Sequence, residues 1–232
     1  MNNQRSRSLM RGATLSSLFP SLSNSGDVPK FPEGPVWEIL NPSANFSLKL
    51  QLDEMVKNKK VNFERYKKDG SAFLIHNSAK VGKGVVIEGP TYIGPNVVIR
   101  PGAYIRPYSW ICDGSVVGHC SEVKHSILLP NSKAPHFNYV GDSILGSGVN
   151  LGAGCKLSNL RNDGRTILLR DGESGDKLED SGLRKFGAIL GENVQIGCNA
   201  VTNPGVILGC NSNVWPNVTV SGVHSENSVI KD

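Results

Sequence analysis

The sequence predicts an all-β fold, a triangular solenoid of short parallel strands, on the basis of a six-residue repeat and the residues that fill it. Every sixth residue from Ile75 to Val123 is Ile or Val: Ile75, Val81, Ile87, Ile93, Ile99, Ile105, Ile111, Val117 and Val123. The residue four positions further along each hexad is small or β-branched: Ala79, Val85, Thr91, Val97, Ala103, Ser109, Ser115 and Ser121. A period of six fits neither a helix nor a single half-buried strand. It fits a coil of three short strands, each of which points one large apolar residue inward, while small residues occupy the corners.

The same repeat returns later in the chain in two further registers. The second register is Tyr139, Leu145, Leu151 and Leu157, and the third is Leu190, Ile196, Thr202, Leu208, Val214 and Val220. We therefore predict a solenoid domain over residues 75–232, interrupted by excursions at about 126–138 and 159–186. Within the second excursion, the strand-like run 165–170 lies between Asn-Asp-Gly and Asp-Gly turns, which predicts an extruded hairpin. We expect the hairpin to be a mobile segment outside the core.

Residues 1–74 are predicted to form an N-terminal tail and a capping segment. The stretch 47–68 has the pattern of one amphipathic helix with a basic end, which would cap the open end of the first coil. The first 26 residues contain Arg and Ser but no acidic residue, a composition that fits an organelle transit peptide or a flexible tail.

Composition and charge exclude several classes of function. The net charge of +5 is mild and no long run of like charges is present, which argues against a nucleic-acid surface. No apolar run approaches the length of a membrane span. The five cysteines show neither a C-x-x-C pair nor zinc-ligand spacing, so we expect free thiols, no metal site and a cytoplasmic location.

One motif is more specific than the repeat. Residues 132–142 read SKAPHFNYVGD, and residues 148–154 read GVNLGAG. Together they resemble the acetyltransferase domain of the bifunctional N-acetylglucosamine-1-phosphate uridyltransferase/glucosamine-1-phosphate acetyltransferase, whose members read SKAGHxxYxGD followed by VNIGAGT. The repeat resembles that of left-handed parallel β-helices, and the handedness is taken from this resemblance. The resemblance covers about residues 75 to 230.

The resemblance implies a role for each matching position. His136 would be the general base that takes a proton from the amine of the sugar. The positions that match substrate-binding residues are Arg106, Lys124, Tyr139, Asn150 and Lys185, of which Arg106, Lys124 and Lys185 would contact phosphate. The positions that match the acetyl and coenzyme site are Asn159, Cys198 and Pro216. The family would act as a homotrimer, with acetyl-CoA as cosubstrate and an amino-sugar phosphate such as glucosamine 1-phosphate as acceptor.

The chemistry of these residue types is consistent with the implied roles. An imidazole is suited to remove a proton from an amine near neutral pH, and Arg and Lys are the usual partners of phosphate. Each residue also has an ordinary interpretation: a loop histidine, surface charges, or a corner asparagine at Asn150. His119 and His125 have no comparable context and are expected to be solvated.

The sequence departs from the family at several places, which leaves other functions open. Leu160 stands where the family usually has Tyr, Pro135 replaces a Gly, and the 161–184 segment is much longer than the family's loop. Only 74 residues precede the repeat, so we expect no uridyltransferase activity. The alternatives are a non-catalytic regulatory or scaffolding solenoid, and an acyltransferase that acts on a sugar nucleotide.

Overall fold

Three sheets of parallel strands, with one antiparallel strand at the end of the first sheet, wind around one apolar axis in the computed structural model. This confirms the predicted all-β, left-handed parallel β-helix with an N-terminal extension that contains a helix. The structure describes residue 4, residue 10 and residues 12–22, 28–58, 62–68 and 71–231. The chain returns to the same sheet after 18 residues in most coils, as in the pairing of Ile93 with Ile111. In the middle coils it returns after 17, as in the pairing of Ile111 with Leu128.

The strands are numbered along the chain and fall into three sheets. Sheet I contains β1 (Phe63–Lys68), β2 (Ser71–His76), β5 (Thr91–Ile93), β8 (Ser109–Ile111), β11 (Ile127–Leu128), β14 (Ile144–Leu145), β19 (Ala188–Leu190), β22 (Val206–Leu208) and β25 (Val223–His224). Sheet II contains β3 (Lys80–Val81), β6 (Val98–Ile99), β9 (Val116–His119), β12 (Lys133–His136), β15 (Asn150–Leu151), β20 (Gln195–Ile196), β23 (Asn213–Val214) and β26 (Val229–Ile230). Sheet III contains β4 (Val86–Ile87), β7 (Tyr104–Ile105), β10 (Glu122–Lys124), β13 (Tyr139–Gly141), β16 (Lys156–Leu157), β21 (Val201–Thr202) and β24 (Thr219–Val220).

The repeated apolar residues form the core of the prism. Ile105, Val123, Val140 and Leu157 stack inward from successive strands of sheet III and are fully buried. Corners are tight because one residue in many of them adopts a left-handed backbone conformation, for example Asn199 with φ 58°. Asparagine tolerates this conformation better than most residues with a Cβ.

The expected excursion at 126–138 is absent, and Tyr139, the first residue of the second register, was placed one residue too early, while Leu145, Leu151 and Leu157 point inward as predicted. Strands β11 and β12 occupy that stretch and pair with their neighbours in sheets I and II. The corner after Val123 is one residue shorter than its equivalents, so the next inward residue is Leu128, five positions on. The same shortening follows Val140, which is buried where we expected Tyr139 to point inward.

The insertion after β16 forms a hairpin that packs against the solenoid. Strands β17 (Leu168–Arg170) and β18 (Lys177–Asp180) pair in antiparallel fashion. Ile167, Leu169 and Phe186 are buried in a second apolar core on the outer side of sheet I. The expectation that this segment lies outside the core was therefore wrong, because alternate residues of its strand-like run are apolar and face the solenoid.

The N-terminal extension covers the outer face of sheet I. It contains α1 (Leu15–Leu18), a 3₁₀ helix (Val36–Leu40) and α2 (Leu48–Lys57). Helix α2 begins at Ser47, whose Oγ accepts a hydrogen bond from the N–H of Leu50 at 3.2 Å. Trp37 from the 3₁₀ helix and Leu52 from α2 are buried in the second core with Tyr92 of sheet I. The extension therefore covers sheet I, and the insertion hairpin shares that second core.

The predicted helix over 47–68 is shorter than expected and lies elsewhere. It ends at Lys57, and residues 63–68 form strand β1, which pairs with β2. Phe63 is buried and Glu64 is exposed, the alternation of a strand. Helix α2 packs on sheet I through Leu48 and Val56 and does not cap the end of the solenoid, where β1 extends sheet I instead.

The fold also shows the state of the cysteines and the length of the helices. All five cysteines lie within the described residues and are free thiols. Among the described helices, none is both long enough and apolar enough to cross a membrane.

Candidate active site

A polar cluster lies on the outward face of sheet III, where that sheet meets sheet I. Strands β7, β10 and β13 are in parallel register, so Tyr104, Glu122 and Tyr139 stack at one outward position. Lys124 and Gly141 pair at the next outward position. Each coil adds one polar side chain to this outward column. Neighbouring strands of a sheet lie about 4.8 Å apart, so side chains from successive coils are close enough to contact one another.

Asp142 is the centre of this cluster. Its carboxylate is buried and receives Lys124 Nζ at 2.9 Å and His125 Nδ1 at 2.8 Å. Asn159 Nδ2 donates a further hydrogen bond to the same carboxylate. Burial alone would raise the pKa of Asp142, but the hydrogen bond and charge of His125, together with Lys124, hold that pKa below its ordinary value of 3.8. The carboxylate is therefore ionised at neutral pH and joins three coils of the solenoid.

Tyr139 and Asn159 extend the cluster toward the next coil. The Tyr139 hydroxyl donates to Asn159 Oδ1 at 3.4 Å, and burial raises the pKa of Tyr139. The glycine between Tyr139 and Asp142 is required by this packing. A Cβ on Gly141 would lie 2.7 Å from the Tyr139 hydroxyl and 2.9 Å from Asn159 Nδ2. The Gly of the motif therefore makes room for the two side chains.

Arg106 lies on the coil before Lys124 and forms an ion pair with Glu122. Arg106 Nη1 is 2.8 Å from Glu122 Oε1, and both side chains are about one-third exposed, at 36% and 34%. The hydrogen bond to Glu122 raises the pKa of Arg106. A guanidinium has five N–H donors, so this ion pair leaves others free to bind a ligand.

His136 lies at a different place, the corner between sheets II and III. It ends strand β12 and is exposed, and it pairs with His119 of the preceding coil. Its backbone carbonyl accepts a hydrogen bond from the N–H of Gly154 at 3.1 Å. The next residue, Phe137, has φ 40° and is 54% exposed. The imidazole is therefore accessible at an edge of the prism and lies outside the hydrogen-bonded Asp142 cluster.

Cys198 and Pro216 lie further along the corner on which His136 lies. Successive coils are tied along it by hydrogen bonds from Asn199 N to Ala153 O at 2.8 Å and from Asn217 N to Cys198 O at 2.9 Å. Cys198 and Pro216 are both exposed.

The two remaining predicted residues belong to different parts of the surface. Asn150 lies on sheet II, where it pairs with Lys133 and Gln195. Lys185 is exposed at the base of the insertion hairpin, bridged to Leu160, and the next residue donates its N–H to the carbonyl of Asn159 at 3.0 Å. The base of the hairpin thus lies next to the Asp142 cluster.

The predicted residues therefore form two groups within one chain. The structure joins Lys124, Tyr139 and Asn159 in the Asp142 cluster, with Arg106 and Lys185 beside it. It places the corner group, which is His136, Cys198 and Pro216, at the edge between sheets II and III, and Asn150 on the face of sheet II.

Comparison with known proteins identifies the family. A family model described as the GMPPB C-terminal domain matches residues 87–225, which is more than half of the chain. The chain belongs to the GMPPB C-terminal domain family. The match begins in β4, the first strand of sheet III, and ends near the last coil, so it includes both groups of predicted residues.

Relatives of this member of the GMPPB C-terminal domain family include proteins named as bifunctional. The bifunctional protein GlmU of Methanococcus aeolicus is 37% identical over 120 residues, which are 52% of this chain and 28% of the relative. A bifunctional sugar-1-phosphate nucleotidylyltransferase/acetyltransferase of Sulfurisphaera tokodaii is 35% identical over 189 residues, 81% of this chain and 45% of the relative. The chain thus spans less than half the length of these relatives. These matches confirm the predicted hexapeptide-repeat class and the resemblance to the bifunctional enzymes.

Sequence reasoning missed the central residues of the cluster in this GMPPB C-terminal domain. His125 was expected to be solvated, which was wrong: its side chain is 12% exposed and bonded to Asp142. Asp142 was noted only as part of a motif, although the Gly-Asp pair after a strand was the available signal. Glu122, the partner of Arg106, was not singled out. Among the described residues, no group of three His, Cys, Asp or Glu side chains is placed to hold a metal ion.

Proposed function

We propose that this protein is an acyltransferase that acetylates an amino sugar, with acetyl-CoA as donor and an amino-sugar phosphate such as glucosamine 1-phosphate as acceptor. The observation that carries the proposal is the Asp142 cluster. It gathers Lys124, Tyr139 and Asn159 from three coils on one outward face, with Arg106 beside them. The names of the relatives, which include a sugar-1-phosphate nucleotidylyltransferase/acetyltransferase, support acyl transfer to a sugar.

The proposed acceptor carries a phosphate that Arg106 and Lys124 bind. The Lys124 ammonium has three N–H donors, of which one is held by Asp142. The others are available to a phosphate oxygen. Arg106 likewise keeps donors that Glu122 does not use. Lys185, exposed at the base of the hairpin, supplies a third positive charge near the same face. Tyr139 and Asn150 contact the sugar in this proposal.

The reaction forms an amide at the expense of a thioester. The neutral amine of the sugar attacks the thioester carbonyl carbon, a C–N bond forms, and the C–S bond then breaks to release the coenzyme thiolate. His136 takes the proton that the amine nitrogen loses and passes it to the thiolate, so the products are the N-acetyl sugar and coenzyme A. Asn159 contacts the acetyl group, and Cys198 and Pro216 lie along the coenzyme.

The separation of His136 from the Asp142 cluster supports a site shared between subunits. The N-terminal extension covers sheet I, which leaves sheets II and III to contact a neighbour. A corner of one subunit that meets sheet III of the next would bring His136 to the other group. Three subunits close such a ring with identical contacts.

The trimer is testable in solution. We expect sedimentation equilibrium in dilute buffer to give about 75 kDa, which is three times the chain mass of 24.9 kDa. A species of the chain mass at all accessible concentrations would contradict the shared site, since one chain keeps the two groups apart.

The activity itself is tested by thiol release. Wild-type protein is mixed with acetyl-CoA and a panel that contains glucosamine 1-phosphate, glucosamine and an amino-sugar nucleotide, and free thiol is measured with a chromogenic disulfide. We expect release that depends on an amino sugar, with the phosphate-bearing acceptor preferred over glucosamine. No release with any member of the panel would favour the non-catalytic scaffold, and release only with the nucleotide would favour the alternative acceptor.

A further inference from the structure

A groove of about 820 Å³ lies between the insertion hairpin and the last coils of the solenoid. Its floor is the outward face of sheet III at Ser158, Asn203 and Ser221, and its wall is the hairpin from Leu160 to Gly175. The volume is in the range of small-molecule sites, which are about 300–1,000 Å³. None of the residues assigned above lines this groove, so it is a second feature of the surface.

The wall of the groove is held firmly in place. Gly205 allows the hairpin to approach, since a Cβ there would lie 2.5 Å from Ile167 Cγ2. The hairpin tip pairs with the last coil at Asp171 and Val223, and the N–H of Gly172 donates to the Val223 carbonyl at 3.1 Å. A Cβ on Gly222 would lie 2.7 Å from the Gly172 Cα atom. The groove is therefore formed before any ligand arrives.

The lining is polar but not suited to an anion. The floor presents a hydroxyl, an amide and a hydroxyl from three successive coils, and Asn203 Nδ2 donates to Ser221 Oγ at 2.7 Å. Arg161 is paired with Asp163 at 2.6 Å, and Arg170 Nη1 donates to the Gly175 carbonyl at 3.0 Å. The lining has two arginines against three carboxylates, those of Asp163, Asp171 and Glu173. A phosphate or pyrophosphate would gain little here, whereas hydroxyl and amide groups match the lining.

The groove begins next to the Asp142 cluster. Ser158 and Leu160 line it, and the residue between them is Asn159, which bonds Asp142 and Tyr139 on its other side. From there the groove follows the solenoid axis toward the last coil. Arg106 and Lys124 lie on earlier coils, in the opposite direction. The groove therefore adjoins the place near Asn159 where a substrate would react, and it has room for a further part of that substrate.

We propose that the insertion groove binds a neutral segment, rich in hydroxyl and amide groups, of one of the two substrates. This rests on the proposed function, because it takes Asn159 as the point where the acetyl group lies. Two molecules carry such a segment: the pantetheine arm of an acyl-coenzyme A, and further neutral sugar units of an extended acceptor. The hairpin then sets which donor or which acceptor the enzyme prefers.

Binding measurements test the groove without requiring turnover. Wild-type protein is titrated calorimetrically with pantetheine and, separately, with the neutral disaccharide of N-acetylglucosamine. We expect one of the probes to bind, and Asn203→Trp, which places an indole on the floor, to weaken that binding at least about tenfold by steric exclusion. Glu179→Trp adds the same side chain to strand β18 outside the lining and should bind the probe with wild-type affinity.

The possible outcomes distinguish failure of the groove proposal from failure of the proposed function. Failure of both probes to bind wild-type protein overturns the proposal, as does unchanged affinity in Asn203→Trp or an equal loss in Glu179→Trp. Ser221→Trp replaces Asn203→Trp should the latter not fold. If the protein binds a probe in the groove but acetylates no amino sugar, the groove proposal stands and the proposed function is wrong.

Kinetics then distinguish the two sources of the segment. If the pantetheine arm lies in the groove, Asn203→Trp raises KM by the same factor for S-acetylpantetheine and acetyl-CoA, because the groove does not bind the phosphates of the coenzyme. With sugar units in the groove, the variant raises KM for an amino disaccharide and leaves KM for glucosamine 1-phosphate unchanged. Equal KM values in wild type and variant for all four substrates contradict the proposal.

Discussion

Replacement of His136 by Ala is expected to lower kcat by about 10²- to 10⁴-fold, the usual contribution of a positioned general base. The amine must lose its proton for the C–N bond to persist, and no other imidazole lies in the motif. His136 is exposed at a corner and lies outside both apolar cores. We therefore expect the melting temperature and the assembly state to stay close to those of the wild type. The decrease in kcat then reflects the chemical step and not unfolding or dissociation.

His119→Ala is the matched control for this prediction. His119 is exposed at the same corner, one coil before His136 and in register with it, and is not part of the motif. Steady-state kinetics of both variants with acetyl-CoA and glucosamine 1-phosphate should show the loss only in His136→Ala. Near-wild-type turnover in that variant would remove His136 from the mechanism, and an equal loss in both would indicate that the corner matters only for packing between subunits.

The repeat could be predicted from the sequence because each hexad contributes one residue to the same core. Ile and Val at a fixed spacing leave few alternatives, and the structure buries the series from Ile87 to Val123, while Ile75 is partly buried and Val81 in the first coil is 41% exposed. The slip after Val123 was harder to place. A corner that is one residue shorter leaves no distinctive residue behind, so Tyr139, one position too early, was taken for the inward residue in place of Val140.

The candidate site was predictable in its residue types and not in its connections. The resemblance to the bifunctional family pointed to Lys124, Tyr139 and Asn159. That a buried carboxylate would join them depends on the stacking of three coils, which sequence distance does not show. The prediction for the hairpin was wrong for another reason. Its charged and glycine residues suggested a mobile segment, whereas the apolar residues Ile167 and Leu169, which alternate with outward residues, indicated that it packs against the solenoid.

The second large effect is expected at Asp142, where Asn should destabilise the fold by about 3 kcal/mol at neutral pH, the order found when one partner of a buried ion pair is removed. An amide at this position presents an N–H group toward Lys124 or His125, both of which also donate. Urea denaturation of wild type and Asp142→Asn at neutral pH measures the difference. Glu122→Gln is the control, because its pair with Arg106 is one-third exposed and should contribute at most about 1 kcal/mol.

The pH dependence of this difference identifies the carboxylate as its cause. The pKa of Asp142 is lower in the folded protein than its ordinary value of 3.8, so its contribution is fully present above that value. It is lost as the pH falls through the depressed folded-state pKa, because protonation then removes the charge that Lys124 and His125 face. The stability gap between wild type and Asp142→Asn should therefore be present from neutral pH down to about pH 5 and narrow in stronger acid. A gap that is absent at neutral pH, or that widens as the pH falls below about 4, would show that Asp142 does not hold the three coils through its charge.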